Sequence, residues 1–480
     1  MLRCLLMIFF LTFPACRATA GVIAPGESAG PDGVWVDGAW SGAGDGSRAR
    51  PFGTLSEALA RVPGGGSSRR VHLAPGRYPG PFVLPAGLEL VGAGAVLHGG
   101  GTEPVIRAPG GGLLKDLVLE GGSWGLEASG PVRLEAVRFR GQGTGAVRVE
   151  AGQLTVVGGG FEAGGTGAVG VLLVGGSRAE VREATFTGAF RRAMEARDSE
   201  AELESVRFRG PLTALYQEAG RVRLRDVSVE GGSEVGLFVQ RGTLRLEDVT
   251  VTGHEYGLQS MKATLEGRGF TSVRAVRAGL ALVGSQAELE DTVVLGSGGF
   301  GGVSLVASET VLRGLRVDGA EEYGLTATRG RLRLERAVLT RLTTRDGDAG
   351  DGLHLRDTRV EAEGLVVREA AGVGVLAAQG SQVVLREASL ESCREAGVWA
   401  ETLARVTAVG LEVRGSGGPA LVALEDGVLR VDALLARDNA AGLVMADCQG
   451  ATRVTLGRVS GQGVPRETGA GLACVSSSSP

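Results

Sequence analysis

The chain has 480 residues, 82 of them Gly, with 43% hydrophobic, 4% aromatic and 22% charged residues and a formal net charge of −4. That apolar content excludes an intrinsically disordered chain, and Gly without a three-residue period excludes a collagen-like one. The slightly acidic balance excludes a nucleic-acid binder that works through a basic surface.

Residues 1–20, MLRCLLMIFFLTFPACRATA, place Arg3 ahead of an apolar run at 5–13 and end on the small-x-small tripeptide Ala18-Thr19-Ala20. The pattern predicts an export signal over 1–20, too short to cross a membrane as a helix. Cys16, directly after Phe13-Pro14-Ala15, offers a second reading in which the signal ends before an acylated Cys. Lipid at Cys16 would then be the chain's one contact with a membrane. Either reading places the protein outside the cytoplasm, in the cell envelope or the medium.

After the signal, a cap is expected over 21–80, a repeat region over 81–475 and a polar tail over 476–480. Within the cap, Leu55, Ala58, Leu59 and Val62 fall on one face of a predicted short helix. Such a helix would plug the first coil, where a solenoid otherwise exposes its core and open strand edges. Cys393, Cys448 and Cys474 are too few for a disulfide-dense scaffold. Cys448 and Cys474 stand about one repeat apart and could be bonded, but buried free thiols are the expected state.

From residue 110 onward the chain aligns on itself with a period of about 22 residues. Consecutive copies include EAELESVRFRGPLTALYQEAG (200–220), RVRLRDVSVEGGSEVGLFVQRG (221–242) and TLRLEDVTVTGHEYGLQSMK (243–262). Each approximates a frame of Leu-x-Leu, Val-x-Val and Gly-Leu-x-Val segments, as in Val222-x-Leu224, Val227-x-Val229 and Gly236-Leu237-x-Val239. Period-two alternation means strands with one buried face, too short to stand without stacking. Propeller blades need about twice this period, and the Asn of a leucine-rich repeat is missing. Three strands per repeat with no room for a helix predict an all-β, right-handed parallel β-helix. About sixteen coils at ~4.8 Å each would make a rod of roughly 75–80 Å.

The stretch GDGSRARPFGTLSEAL (44–59), followed by VHLAPGRYPGPFVLPAGLELVGAG (71–94), resembles the opening of pectin lyase-like β-helix proteins. The matching positions are Asp45, Pro51, Phe52, Thr54, Leu55, Ala58, Pro75, Gly76 and Tyr78. The superfamily spans pectate lyases, polygalacturonases, alginate epimerases and proteins of no known activity, so the resemblance implies a fold and not a chemistry. It also implies that the strand after the longest loops, here Gly-Leu-x-Val, lines a ligand groove. The x positions are expected to point outward along the rod: Glu127, Arg148, Glu195, Tyr216, Phe238, Gln259, Ala281, Ser304, Thr326, His354, Leu376, Trp399, Val422, Val444 and Ala473. Tyr216, Phe238 and Trp399 would stack on sugar rings, with Gln259 and Thr326 supplying polar contacts. The apolar stretch from Leu376 to Val444 would be an exposed strip. The other two faces, rich in Arg and Glu, read as solvated surface.

Catalysis has one candidate. The loop TTRDGDAGDGLHLRD (343–357) offers Asp346, Asp348 and Asp351 as calcium ligands. His354 follows on the groove strand, placed with Asp351 for acid–base chemistry. The Asn-Thr-Asp, Asp-Asp and Gly-His-Gly motifs of polygalacturonases are missing. The sequence therefore predicts an exported β-helix that binds a polysaccharide along its groove strand. Two alternatives stand beside it: a lyase- or epimerase-like enzyme centred on 346–354, and a non-enzymatic envelope protein that docks a protein partner.

Overall fold

The computed structural model describes residues 33–62, 69–347, 349–461 and 473–477. The predicted export signal and Cys16 lie outside them. Within them the chain winds into an all-β parallel solenoid of roughly 18 turns, two more than the repeat count predicts. The count passes over the turn of Val169–Val174, where Gly-Val-Leu-Leu replaces Gly-Leu-x-Val.

A typical turn is laid out by Thr213–Glu218 and Arg221–Glu230. The first strand belongs to a groove sheet. The second bends at Asp226, in the left-handed region at φ 51°, into a charged sheet and then a third sheet. One left-handed residue is enough to turn the corner, and Asp or Gly takes that conformation most readily. The next two turns use Asp248 and Gly269 at the same corner.

Each sheet stacks its inward residues in register. On the groove sheet Leu215, Leu237, Leu258 and Leu280 lie one above another, all fully buried. On the third sheet Phe139, Phe161, Phe186 and Phe208 form a stack with centroids 5.2, 4.3 and 4.9 Å apart. Burial of each such side chain contributes about 1.5–3 kcal/mol. The Gly of Gly-Leu-x-Val has a packing cause. A Cβ on Gly279 would lie 2.5 Å from Cγ1 of Val294, so the groove and third sheets touch there with no room for a side chain.

The helix Leu55–Arg61 forms as expected. Its N-cap Thr54 accepts a hydrogen bond from the Glu57 N–H, while Leu55 and Ala58 are buried against the first coil. Parallel pairing begins at Val34–Val36 against Arg70–Leu73, inside the stretch assigned to the cap. At the other end Val475–Ser477 pairs with Arg453–Leu456. The thiol expectation fails here: Cys448 and Cys474 form a disulfide. Their turns set the two Cα atoms 5.2 Å apart, within bonding range. The bond pins the last described strand to the rod. Cys393 remains a buried free thiol, its pKa pushed up to about 12 by burial and by the charge of Asp351.

Candidate functional site

The outward ladder of the groove sheet runs from Val83 and Arg107 through Glu127, Arg148, Leu172, Glu195, Tyr216, Phe238, Gln259, Ala281, Ser304, Thr326, His354, Leu376, Trp399 and Val422 to Met445. The sequence places most of these rungs. Three expectations are corrected. Leu172 belongs to the ladder. Val444 pairs with Leu421 and points inward, leaving Met445 outward. Ala473 lies in a turn off the groove sheet. A one-residue slip in the last groove strand flips its faces.

The predicted sugar-stacking rings are not open. Tyr216 stacks on Phe238 with centroids 5.2 Å apart and planes 15° apart. On the side of the preceding turn, the Arg192 guanidinium lies 3.5 Å from the Tyr216 centroid. Arg192 is itself held by the fully buried Glu195, which also accepts from Arg197. The ring of Tyr216 is therefore filled along the rod axis and turns its edge to the groove. Trp399 packs with Leu376 and Leu424 against buried Val373, Ala396 and Val422. The expected apolar strip thus forms a small outer core of its own, with Val422 fully buried. Gln259 and Thr326 are half-buried floor positions between these two regions.

The candidate catalytic residues meet, but below the surface. His354 Nδ1 donates to Asp351 Oδ2 at 2.7 Å, and the other Asp351 oxygen accepts from the Val373 N–H at 2.8 Å. With the proton on Nδ1, the lone pair of Nε2 is left free, and that atom is buried with no partner. The rings of Tyr323 and His354 meet edge to face, with centroids 4.8 Å apart. Burial, with the nearby charge of Asp351, pushes the Tyr323 hydroxyl above its ordinary pKa. The pair has the orientation of a held general base, yet side-chain exposure is only 9% for His354 and 6% for Asp351.

The calcium expectation is not met as drawn. Asp351 turns away from the loop and spends both oxygens on His354 and Val373. Asp346 is exposed, and Asp348 lies outside the described residues. The loop folds back on the preceding turn instead: Arg345 N–H donates to Glu322 Oε1, Arg345 Nη2 to Glu321 Oε2, and Gly350 N–H to the Glu322 carbonyl. Among the described residues no three His, Cys, Asp or Glu side chains come together as a metal cage.

The sequence reading missed the loop edge of the groove sheet. Val276 and Phe300 are 63% and 47% exposed on successive turns. Tyr256 is near-parallel to Phe300 at 6.5 Å, and Arg277 lies over the Phe300 ring at 5.8 Å. One signal was available: a single Phe inside the Gly-rich run GSGGFGG (296–302).

No protein-family model matches the chain, and no curated protein does. Solved structures do. The structure of the Vag8–C1 inhibitor complex covers 80% of this chain and 99% of its own, at 19% identity and a TM-score of 0.52. The alginate lyase AlyGC covers 84% and 92%, at 9% identity and a TM-score of 0.28. The A-module of the mannuronan C-5 epimerase AlgE6 of Azotobacter vinelandii covers 88% and 93%, at 11% identity and a TM-score of 0.17. At 19% identity the first of these likenesses establishes the fold alone, a β-solenoid.

Proposed function

We propose that this is an exported, non-enzymatic solenoid that docks a protein partner on the loop edge of its groove sheet. The observation that carries the reading is the exposed patch of Val276 and Phe300, backed by Tyr256 and Arg277. Only 4% of the chain is aromatic, and one of those few rings, Phe300, stands nearly half exposed on a Gly-rich loop beside Arg277. Aromatic rings with Arg beside them are the residues that dominate binding energy in protein interfaces. One solved solenoid of the same fold, Vag8, was captured in a complex with a protein, C1 inhibitor, which supports such a use of the fold. Polysaccharide binding along the groove is less well supported, because sugar stacking needs an open ring face and that of Tyr216 is taken.

A photo-cross-linking residue at position 300, in cells that make the protein, tests this. A discrete protein adduct at 300, absent at position 207 on the third sheet and lost in Tyr256→Ala/Arg277→Ala, is the expected result. No adduct at 300, or equal adducts at both positions, would overturn it.

A second reading has its own observation. The Asp351–His354 pair aims an unpartnered Nε2 beside the groove, as a lyase- or epimerase-like enzyme would need. For it to act, Tyr323 must move aside. Polymer shortening or epimerisation that disappears in His354→Ala would favour that reading.

A further inference from the structure

The charged sheet carries a pattern that the solenoid itself does not require. We propose that two copies of this chain pack antiparallel, charged sheet against charged sheet, about a two-fold axis passing between the turns of Glu247 and Arg268. The inference concerns a different sheet from the proposed docking patch and does not depend on it.

Two columns carry the argument. Next to the corner, successive turns present Glu204, Arg225, Glu247, Arg268, Glu290 and Arg313 in direct register, with Arg182 and Glu335 continuing the alternation. Pairing within one chain accounts for this column: Arg225 reaches Glu204, and Arg268 reaches Glu247 at 2.6 Å. The middle column, which reads Glu202, Arg223, Arg245, Glu266 and Glu288, is paired within the chain too, Arg223 with Glu202 at 3.8 Å, Arg245 with Glu266 at 2.9 Å and Glu288 with Arg313 at 2.7 Å, but its signs do not alternate. Here Arg223 stacks directly on Arg245, and Glu266 on Glu288. Like charges opposite one another destabilise a sheet.

Both columns change sign about the same point. An antiparallel second copy sets Glu247 against Arg268, Arg225 against Glu290, Arg245 against Glu266 and Arg223 against Glu288, every contact being made twice. The non-alternating middle column then forms part of a self-complementary surface. A parallel second copy would set Arg245 against Arg245 and is disfavoured. In the third outward column the central residues Thr243, Thr264 and Gln286 are neutral. Further out, Arg178 would meet Arg331 and Glu200 would meet Glu309, which confines contact to the central turns.

The links from the groove sheet are short (Ala219-Gly220, Arg241-Gly242), and the far corners are single residues, Asp226, Asp248 and Gly269. A depression of about 440 Å³ at the axis, lined by Arg223, Arg245, Glu247, Glu266, Arg268 and Glu288, leaves room for the ends of opposing side chains. Six turns at ~4.8 Å of a five-residue strand bury roughly 1,000 Å² over both copies, at the small end of specific interfaces. Ion pairs on so small an area make a weak, salt-sensitive dimer.

Sedimentation velocity on the purified protein tests it. A dimer at about 20 mM salt that dissociates near 0.5 M salt is expected, since screening shortens with ionic strength. Glu247→Arg and Arg268→Glu should each weaken dimerisation at least tenfold. An equimolar mixture of the two should restore it, because both contacts in the mixed dimer again pair opposite signs. Arg223→Glu and Glu288→Arg repeat the test at a second pair, with thermal melts confirming that each variant is folded. A monomer at low salt, a dimer indifferent to these reversals, or a mixture no better than its components would overturn the proposal.

Discussion

The groove sheet and the charged sheet are built from the same turns, a few residues apart, and follow opposite rules outward. Inward, both are uniform ladders of Leu, Val and Ala. Outward, the charged sheet repeats Arg and Glu over many turns, whereas the groove sheet changes from a buried ion cluster at Glu195 to stacked rings, then a small polar floor, then an outer apolar core. The inward residues decide the fold, so outward residues can vary without cost to it. The face whose outward residues vary from turn to turn is where a specific ligand can be read. A face that repeats is suited to meeting another repeat.

Substitutions on the two sides of these sheets should differ most in stability. Leu280→Ala, which opens a cavity in the buried ladder, should cost about 2–5 kcal/mol in urea denaturation. Val276→Ala, a smaller truncation on the exposed edge of the same sheet, should stay within about 0.5 kcal/mol. Equal losses would mean that the edge is packed after all.

The disulfide ties the last described strand to the turns before it. Removing Cys448 should cost about 2–4 kcal/mol locally, by the measure of a loop closed over 26 residues. Limited proteolysis should then cut first near Val475–Ser477 and leave the rest of the rod intact.

His254 links the groove edge to pH. It is buried beneath the turn that carries Tyr256 and donates from Nδ1 to the Thr252 carbonyl. Burial pushes its pKa below the ordinary 6.5, so the folded chain holds it neutral while the unfolded chain binds a proton below that value. Stability should therefore be level above pH 6.5 and fall as the pH drops from there toward the depressed folded value. The slope for one proton is at most about 1.4 kcal/mol per pH unit. His254→Gln should flatten it in pH-dependent melts.

The smallest effect belongs to an exposed clamp. Glu120 accepts from Arg77 and Arg140, and these hydrogen bonds lower its pKa to about 2. The folded-state preference for its carboxylate is present above its ordinary 4.5 and is lost as the pH falls through the interval down to about 2. Glu120→Gln should remove that part of the acid sensitivity, worth less than about 1 kcal/mol at a partly exposed site.

The fold was legible because period-two alternation and a 22-residue repeat leave few alternatives, and because Thr54, Leu55 and Ala58 mark a capped helix. Rung assignments followed wherever the Gly-Leu-x-Val frame held, and they slipped at Val444 where it did not. The site was less legible. A sequence gives the rung of Tyr216 but not the plane of its ring, which is set by Arg192 one turn before and Phe238 one turn after. It gives Asp351 as an acid in a Gly-rich loop, but not that the Val373 N–H, 22 residues on, claims one of its oxygens. Phe300 was passed over because it lies off the repeat, in a loop, where periodicity carries no information.

The proposed function requires that the groove sheet meet a protein and not a glycan. The most direct test is size-exclusion chromatography of the protein with acidic and neutral polysaccharides, with and without calcium, following protein and polymer separately. Every polymer should keep its size, and the protein should elute apart from it. A shortened polymer, or an intact one that carries the protein with it, would contradict the account. In the first case the Asp351–His354 pair would become an active site, and in the second the groove would become a glycan-binding surface.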